Sequence, residues 1–229
     1  MTDSVIHAVI FDFDGVLVDT EPLHHQAFCT VVAPHGLACD WPEYVREYIG
    51  FDDRGLFQAA FQRHQKSLAD ADLQTLVNAK ANEFIRLAAA GVDPYPGVPD
   101  IVRNASERWP VGLCSGALRS DIEPLLNQLG LQATFGVQVT AEDVPASKPD
   151  PTCYRLTVEK LAALLQTPLN ATQCIAIEDT PAGVEAATGA QLRAWGVTHT
   201  HSQTELSAAE RVFDSLPALW KALLEEDKT

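Results

Sequence analysis

The chain has 229 residues, enough for one large domain or two modest ones. Its formal net charge of −15 disfavours a nucleic-acid or anionic-membrane surface, which would carry basic patches. No apolar run approaches the roughly 18–20 residues of a membrane span, and a 46% apolar, 21% charged composition is that of a globular chain.

In chain order, "SVIHAVIFDFD" (4–14) reads as a buried strand, a β-branched and aromatic run that ends in polar residues. No basic segment precedes it, so no signal peptide and a cytoplasmic location are expected. Residues 21–90 carry no strand-like run. "EPLHHQAFCTVVA", "RGLFQAAFQRHQ" and "LQTLVNAKANEFIRLAAAG" have the spacing of amphipathic helices. Their exit, "GVDPYPGVPD" (91–100), is rich in proline and glycine and reads as a hinge or linker.

Strand signals resume with "PVGLCSG" (110–116), "CIAIED" (174–179), "LRAWGVTH" (192–199) and a short "RVFDS" (211–215). Helical patterns follow the first two of these. Ile122, Leu125, Leu126 and Leu129 share a face, with Gly130 as a stop. Thr180 suits an N-cap, Pro181 the first turn and Gly189 the end of a second helix. The alternation predicts a Rossmann-like α/β core, a parallel sheet with right-handed crossovers, at residues 1–18 and 92–229. A helical cap domain at 19–91 interrupts it. There is no internal repeat, and the tail "EEDKT" is expected to fray.

The five cysteines (Cys29, Cys39, Cys114, Cys153 and Cys174) are odd in number, widely spaced and without a CxxC pair. That speaks against a disulfide framework or a zinc site and for buried free thiols.

In an open α/β sheet, ligands bind beyond the carboxyl ends of the strands. Those ends carry Asp12 and Asp14, then Ser115 and Gly116, then Glu178 and Asp179, and the loop "ASKPDP" adds Lys148. Carboxylates that converge repel one another unless a positive charge or a reaction accounts for them. The bland readings are a solvated turn for Asp12 and Asp14, an ordinary strand-to-helix turn for Ser115 and Gly116, and a buffer beside Asp179 for Glu178.

The set resembles the haloacid dehalogenase superfamily, in its β-phosphoglucomutase-like branch of phosphatases and phosphomutases. "DFDGVLVDTEPLH", "CSG", "SKPDP" and "IEDTPAGVEAA" match that branch's four motifs in order, and the helical insertion matches its cap. The resemblance implies Mg²⁺ as cofactor. Asp12 and Asp179 would bind it through carboxylates, Asp14 through its backbone carbonyl, and Glu178 would lie beside them. It implies Asp12 as nucleophile, forming an aspartyl-phosphate, and Asp14 as general acid and base. Ser115, Gly116 and Lys148 would take the phosphate. The dehalogenases and phosphonate-cleaving members lack the second aspartate, so Asp14 argues against both of those reactions. Asp19 reads as an anchor for the turn into the cap.

Cap and rim candidates for substrate contact are His24, Arg54, Lys80 and Arg119. A surface histidine and a solvated helix face explain His24 and Lys80 as well. The spacing of Arg54 from Gly50 departs by one residue from that of the mutases. Phe51, Phe57, Phe61, Phe84, Trp41 and Trp109 read as core or cap-packing aromatics. The expectation is a Mg²⁺-dependent phosphatase for a small phosphorylated metabolite, such as a sugar phosphate, in a monomer or weak homodimer with no nucleic-acid or membrane partner. The alternatives are a sugar phosphomutase on the same core, a phosphoacceptor switch, and a non-catalytic metabolite-binding protein.

Overall fold

Strand β1 (Ala8–Phe11) is apolar and buried at every position, so it takes the middle of a sheet covered on both faces. The structure, a computed structural model, describes residues 6–49 and 51–227. The expectations that touch residues 1–5, Gly50 and the last two residues of the tail lie outside the described residues.

Four helices follow β1: α1 (Glu21–Val32), α2 (Trp41–Glu47), α3 (Asp53–Arg63) and α4 (Asp70–Ala88). Then come α5 (Val98–Ser106), β2 (Val111–Cys114), α6 (Arg119–Gln128), β3 (Val137–Val139) and α7 (Thr152–Leu165). The chain ends with β4 (Cys174–Glu178), α8 (Pro181–Gly189), β5 (Arg193–Val197), β6 (Arg211–Phe213) and α9 (Leu216–Glu226). Among the described residues no helix is long and apolar enough to cross a membrane.

The strands form one sheet in the order β3-β2-β1-β4-β5-β6, parallel throughout. Ile10 pairs with Gly112 of β2 on one side and Ala176 of β4 on the other. After β1 the chain builds outward through β2 and β3, then crosses to β4 and builds the other way. The order therefore reverses at β1, and the crevice beyond its carboxyl end is where this architecture binds ligands.

Two compact units emerge. Thr20–Val92 forms one, and the chain on either side of it forms the other. In the sheet unit, Val18 and Pro94 make an antiparallel bridge, and the Tyr95 N–H donates to the Leu17 carbonyl at 3.0 Å. The chain thus leaves and re-enters this unit at adjacent points. The helical unit closes on its own apolar core, which includes Phe28, Val32, Tyr44, Leu56, Phe57 and Leu73.

Local signals hold where the chemistry is local. Thr180 caps α8, its hydroxyl accepting from the Gly183 N–H at 3.0 Å. Gly130 follows α6 with a φ of +65°, a conformation that favours glycine. β3, α2, α5 and α9 are among the additions to the sequence reading. β3 is only three residues long and half-buried at the sheet edge, too short to show a period. α2 is one short helix, started by Asp40, whose carboxylate accepts from the Glu43 N–H at 2.8 Å.

Two expectations about packing need correction. Phe57, Phe61, Phe84 and Trp109 are buried, but Trp41 is 41% and Phe51 54% exposed. Trp41 opens α2 and stacks on Tyr44, while Phe51 lies in the connection to α3. Cys114, Cys153 and Cys174 are buried thiols, whereas Cys29 and Cys39 are only half-buried.

Candidate active site

Asp12 is the first residue beyond β1, and its N–H donates to the Ile177 carbonyl of β4 at 3.0 Å. That bond seats it at the seam where the strand order reverses. Glu178 ends β4 and Asp179 follows it, so both lie across the same seam. One carboxylate oxygen from each of Asp12, Glu178 and Asp179 falls within 4.8 Å of the others, and all three residues are buried.

Lys148 reaches into this group from the loop before α7. Its ammonium donates to Asp12 Oδ1 at 2.8 Å, to Glu178 Oε1 at 2.6 Å and to the Cys114 carbonyl at 3.0 Å. All three of its protons are therefore used. Tyr154, in the first turn of α7, donates its hydroxyl to Glu178 Oε1 at 2.5 Å. Lys148 also lies 5.1 Å from the Tyr154 ring centroid. Glu178 thus serves chiefly to hold Lys148 and Tyr154.

Two glycines make room for the acids. A Cβ at Gly183 would fall inside the Glu178 carboxylate. One at Gly15, where φ is +75°, would fall inside that of Asp179. At Gly116 a Cβ would meet nothing within 4 Å, so packing does not impose glycine there.

Ser115, on the end of β2, is held by its N–H to the Val139 carbonyl at 3.0 Å. Its hydroxyl accepts from the Ala117 N–H at 3.0 Å and points toward Asp14 Oδ2 at 3.5 Å. The loop after β5 closes the far side. The Thr200 hydroxyl donates to Asp179 Oδ2 and lies 3.0 Å from the Asp179 carbonyl. His201 Nδ1 lies 3.1 Å from that same carbonyl. His199 donates Nδ1–H to the Gly15 carbonyl at 2.8 Å and stacks on Tyr95 at 3.8 Å.

The electrostatics are unbalanced. Burial, helped by Glu178 and Asp14, pushes Asp12 up to about 8 against the pull of Lys148. Lys148 is held well above its usual range because, although burial opposes its charge, Asp12 and Glu178 favour it. Four carboxylates with one ammonium leave room for further positive charge. An oxygen-only donor set of this kind suits a hard divalent cation such as Mg²⁺.

The structure thus brings Asp12, Asp14, Ser115, Lys148, Glu178 and Asp179 to one strand edge. Asp19 is not the anchor expected of it. It is exposed, and what it contributes is its charge, which acts on His199. Arg119 turns to Asp143 at 3.0 Å, and Arg54 is exposed and donates to Gln74 at 2.9 Å. In the helical unit, Lys80 and His24 do meet. Lys80 Nζ donates to His24 Nδ1 at 3.0 Å and pairs with Asp53, while the His24 ring stacks on Phe84 at 4.2 Å. Lys80 is 2% exposed, which overturns the solvated-face reading.

Sequence reasoning missed Tyr154, Thr200, His201 and Asp53. The polar run "THTHS" directly after β5 was a usable signal for two of them. Tyr154 and Asp53 carried none, because each acts on a partner far away in the chain.

The family model for haloacid dehalogenase-like hydrolases matches residues 9–197. The chain belongs to that family. This hydrolase is 30% identical to fructose-1-phosphate phosphatase YqaB of Escherichia coli K12 over 186 residues, 81% of this chain and 93% of that one. It is 31% identical to protein CbbY of Cereibacter sphaeroides over 226 residues, 94% of each chain. Among solved structures, β-phosphoglucomutase from Clostridium difficile matches with a TM-score of 0.85 at 26% identity, covering 98% of both chains. The hydrolase therefore stands among the phosphatases and phosphomutases of its superfamily.

Proposed function

We propose that the hydrolase is a Mg²⁺-dependent phosphatase for a small phosphorylated metabolite, a sugar phosphate or a similar phosphomonoester, working through an aspartyl-phosphate on Asp12. The observation that carries this is the buried Asp12–Lys148–Glu178 group at the reversal point of the sheet, with Asp179 within ligand distance. The names of the relatives, a fructose-1-phosphate phosphatase among them, support the substrate class.

The roles follow from the chemistry. An Asp12 oxygen attacks phosphorus, the bond to the leaving oxygen breaks, and Asp14 gives that oxygen its proton. Asp14, now a carboxylate, takes a proton from water as the water attacks the acyl phosphate. Inorganic phosphate leaves and Asp12 is regenerated. Lys148 favours the ionised form of Asp12 and neutralises phosphate charge. The Ser115 hydroxyl and the N–H groups around Gly116 hold the phosphate oxygens.

Asp12 and Asp179 would hold Mg²⁺, with Asp14 through its carbonyl and Glu178 alongside. When bound it supplies the positive charge that lets the acids and a phosphate share one site. A sheet-bearing catalytic core and a helical cap domain complete the reading. His24 and Lys80 remain the candidates for recognising the rest of the substrate, and Lys80 would have to give up its buried pairing with Asp53 to do so. Arg54 and Arg119 are engaged elsewhere.

A phosphomutase is the second reading, favoured by the likeness to β-phosphoglucomutase over 98% of both chains. One experiment separates the two. A panel of sugar phosphates, phosphoglycolate and nucleotides is incubated with and without Mg²⁺, following both released phosphate and isomerised sugar phosphate, with Asp12→Asn beside the wild type. Phosphate release that needs Mg²⁺ and Asp12 is the expected result. Isomerisation without release would make the enzyme a mutase. A long-lived phosphoenzyme without turnover would make it a phosphoacceptor switch.

A further inference from the structure

The two half-buried cysteines lie together in the helical unit. His25 and Cys29 are one turn apart on α1, so they share a face. His25 Nε2 is 3.2 Å from the Cys29 sulfur and 3.0 Å from the Cys39 carbonyl, and the Cys29 thiol donates to that carbonyl at 3.1 Å. The imidazole is wedged rather than free. The Trp41 ring meets it edge-on with centroids 5.4 Å apart, and the Tyr44 ring lies tilted against it at 5.0 Å. Nε2 therefore sits beside both the Cys29 thiol and the carbonyl to which that thiol donates, within reach of the thiol proton.

We propose that Cys29 and Cys39 form a peroxide-sensitive dithiol, with Cys29 as the reacting sulfur, His25 as its base and Cys39 as the resolving thiol. This goes beyond phosphoryl transfer and involves none of the strand-end residues. The Cys29 S–H turns from the Cys39 carbonyl and passes its proton to His25 Nε2, and the new N–H donates to that carbonyl in its place, which holds the imidazolium beside the thiolate. The sulfur attacks one oxygen of hydrogen peroxide. An S–O bond forms, the O–O bond breaks, and hydroxide leaves with the proton from His25 as water. The Cys39 sulfur then attacks the Cys29 sulfenic acid. The S–S bond forms, the S–O bond breaks, and a second water leaves with the Cys39 proton. Two thiols lose two electrons, and peroxide gains them.

The environment assigns the order. Burial pushes Cys39 up to about 12, with Glu43, Cys29 and Asp40 adding to it, so Cys39 stays protonated. Burial raises Cys29 as well, but Cys29 has a base in contact with it. The Cys39 thiol now donates to the Asp40 carbonyl at 3.4 Å. Forming the link requires the Cys39 side chain to leave the Asp40 carbonyl and turn to Cys29, whose sulfur already lies against the Cys39 carbonyl. Cys114, Cys153 and Cys174 are buried.

The test treats the full-length protein with hydrogen peroxide, blocks remaining thiols with N-ethylmaleimide and maps the digest by mass spectrometry. The expected product is one intramolecular link between Cys29 and Cys39, two hydrogens lighter, reversed by dithiothreitol. Cys39→Ser should leave Cys29 as a sulfenic acid that dimedone traps. His25→Gln should slow Cys29 oxidation about tenfold at neutral pH without changing the pair that forms. Links only between chains, both thiols left free in the oxidised wild type, or no dimedone label on Cys29 in the Cys39→Ser variant would each overturn the proposal. An unchanged rate in the His25→Gln variant would overturn the role given to His25.

Discussion

The carboxylate of Glu178 occupies the space that a side chain at Gly183 would need. Gly183 is in the first turn of the helix that follows, so the strand end and the helix start are fitted to each other through one acid. Gly183→Ala should displace Glu178 and with it the partners that Glu178 holds, Lys148 and Tyr154. Overpacking of this kind costs about 1–3 kcal/mol. Turnover should fall with stability, and the measurement is kcat beside a urea melt. Full activity in this variant would mean that Glu178 does not need its observed position.

Removing Lys148 strands two buried acids. Lys148→Ala should destabilise the protein by about 3–5 kcal/mol, the cost of breaking a buried ion pair on one side. The double variant Lys148→Met/Glu178→Gln should recover part of that loss while staying inactive. Denaturant melts give the coupling between the two positions directly.

Mg²⁺ should bind the folded protein and not the unfolded chain. At a hundredfold excess over its Kd it should add about 2.7 kcal/mol of stability. Chelation should remove both this increment and the phosphatase activity. Asp179→Ala should lose the thermal response to Mg²⁺ while still folding, which a thermal melt with and without the cation reads.

Asp14 has a signature that depends on the leaving group. Asp14→Asn should reduce kcat on an alkyl phosphate about 10²–10⁴-fold, the usual worth of general acid–base help. An aryl phosphate, whose leaving group needs no proton, should lose far less in the first step. Equal losses in kcat/KM, which reports the first step alone, on both substrates would mean that Asp14 does not protonate the leaving oxygen.

Far from this site, Glu210 is held below its usual pKa by its hydrogen bonds and charge pairing with Arg193, against the opposing effect of burial. Its folded pKa is lower than its unfolded one. The stability it contributes is therefore present above about 4.5, the unfolded value, and is lost as pH falls through the folded value. The pair is partly exposed, so its worth is about 1 kcal/mol at most. Glu210→Gln should be less stable than the wild type at neutral pH and equal to it in strong acid. Urea melts across that range test the sign.

The sequence by itself determined what local chemistry can encode. Apolar runs ending in acids located β1 and β4, the Thr180–Pro181 start set α8, and the strand-free stretch after Asp19 marked the helical unit. The motif residues could be gathered because a parallel sheet delivers its strand ends to one edge whatever the loops do. Only the tertiary structure decided what those residues touch. Lys148 meets Asp12 across 136 positions, Tyr154 meets Glu178 across 24, and Lys80 meets His24 across 56. No spacing rule reaches that far, because such pairs are fixed by how elements pack and not by the repeat of any one element. The same holds for Cys29 and Cys39. Their spacing suggests nothing, and the loop that brings the Cys39 carbonyl onto the Cys29 sulfur and the Nε2 of His25 makes them a pair.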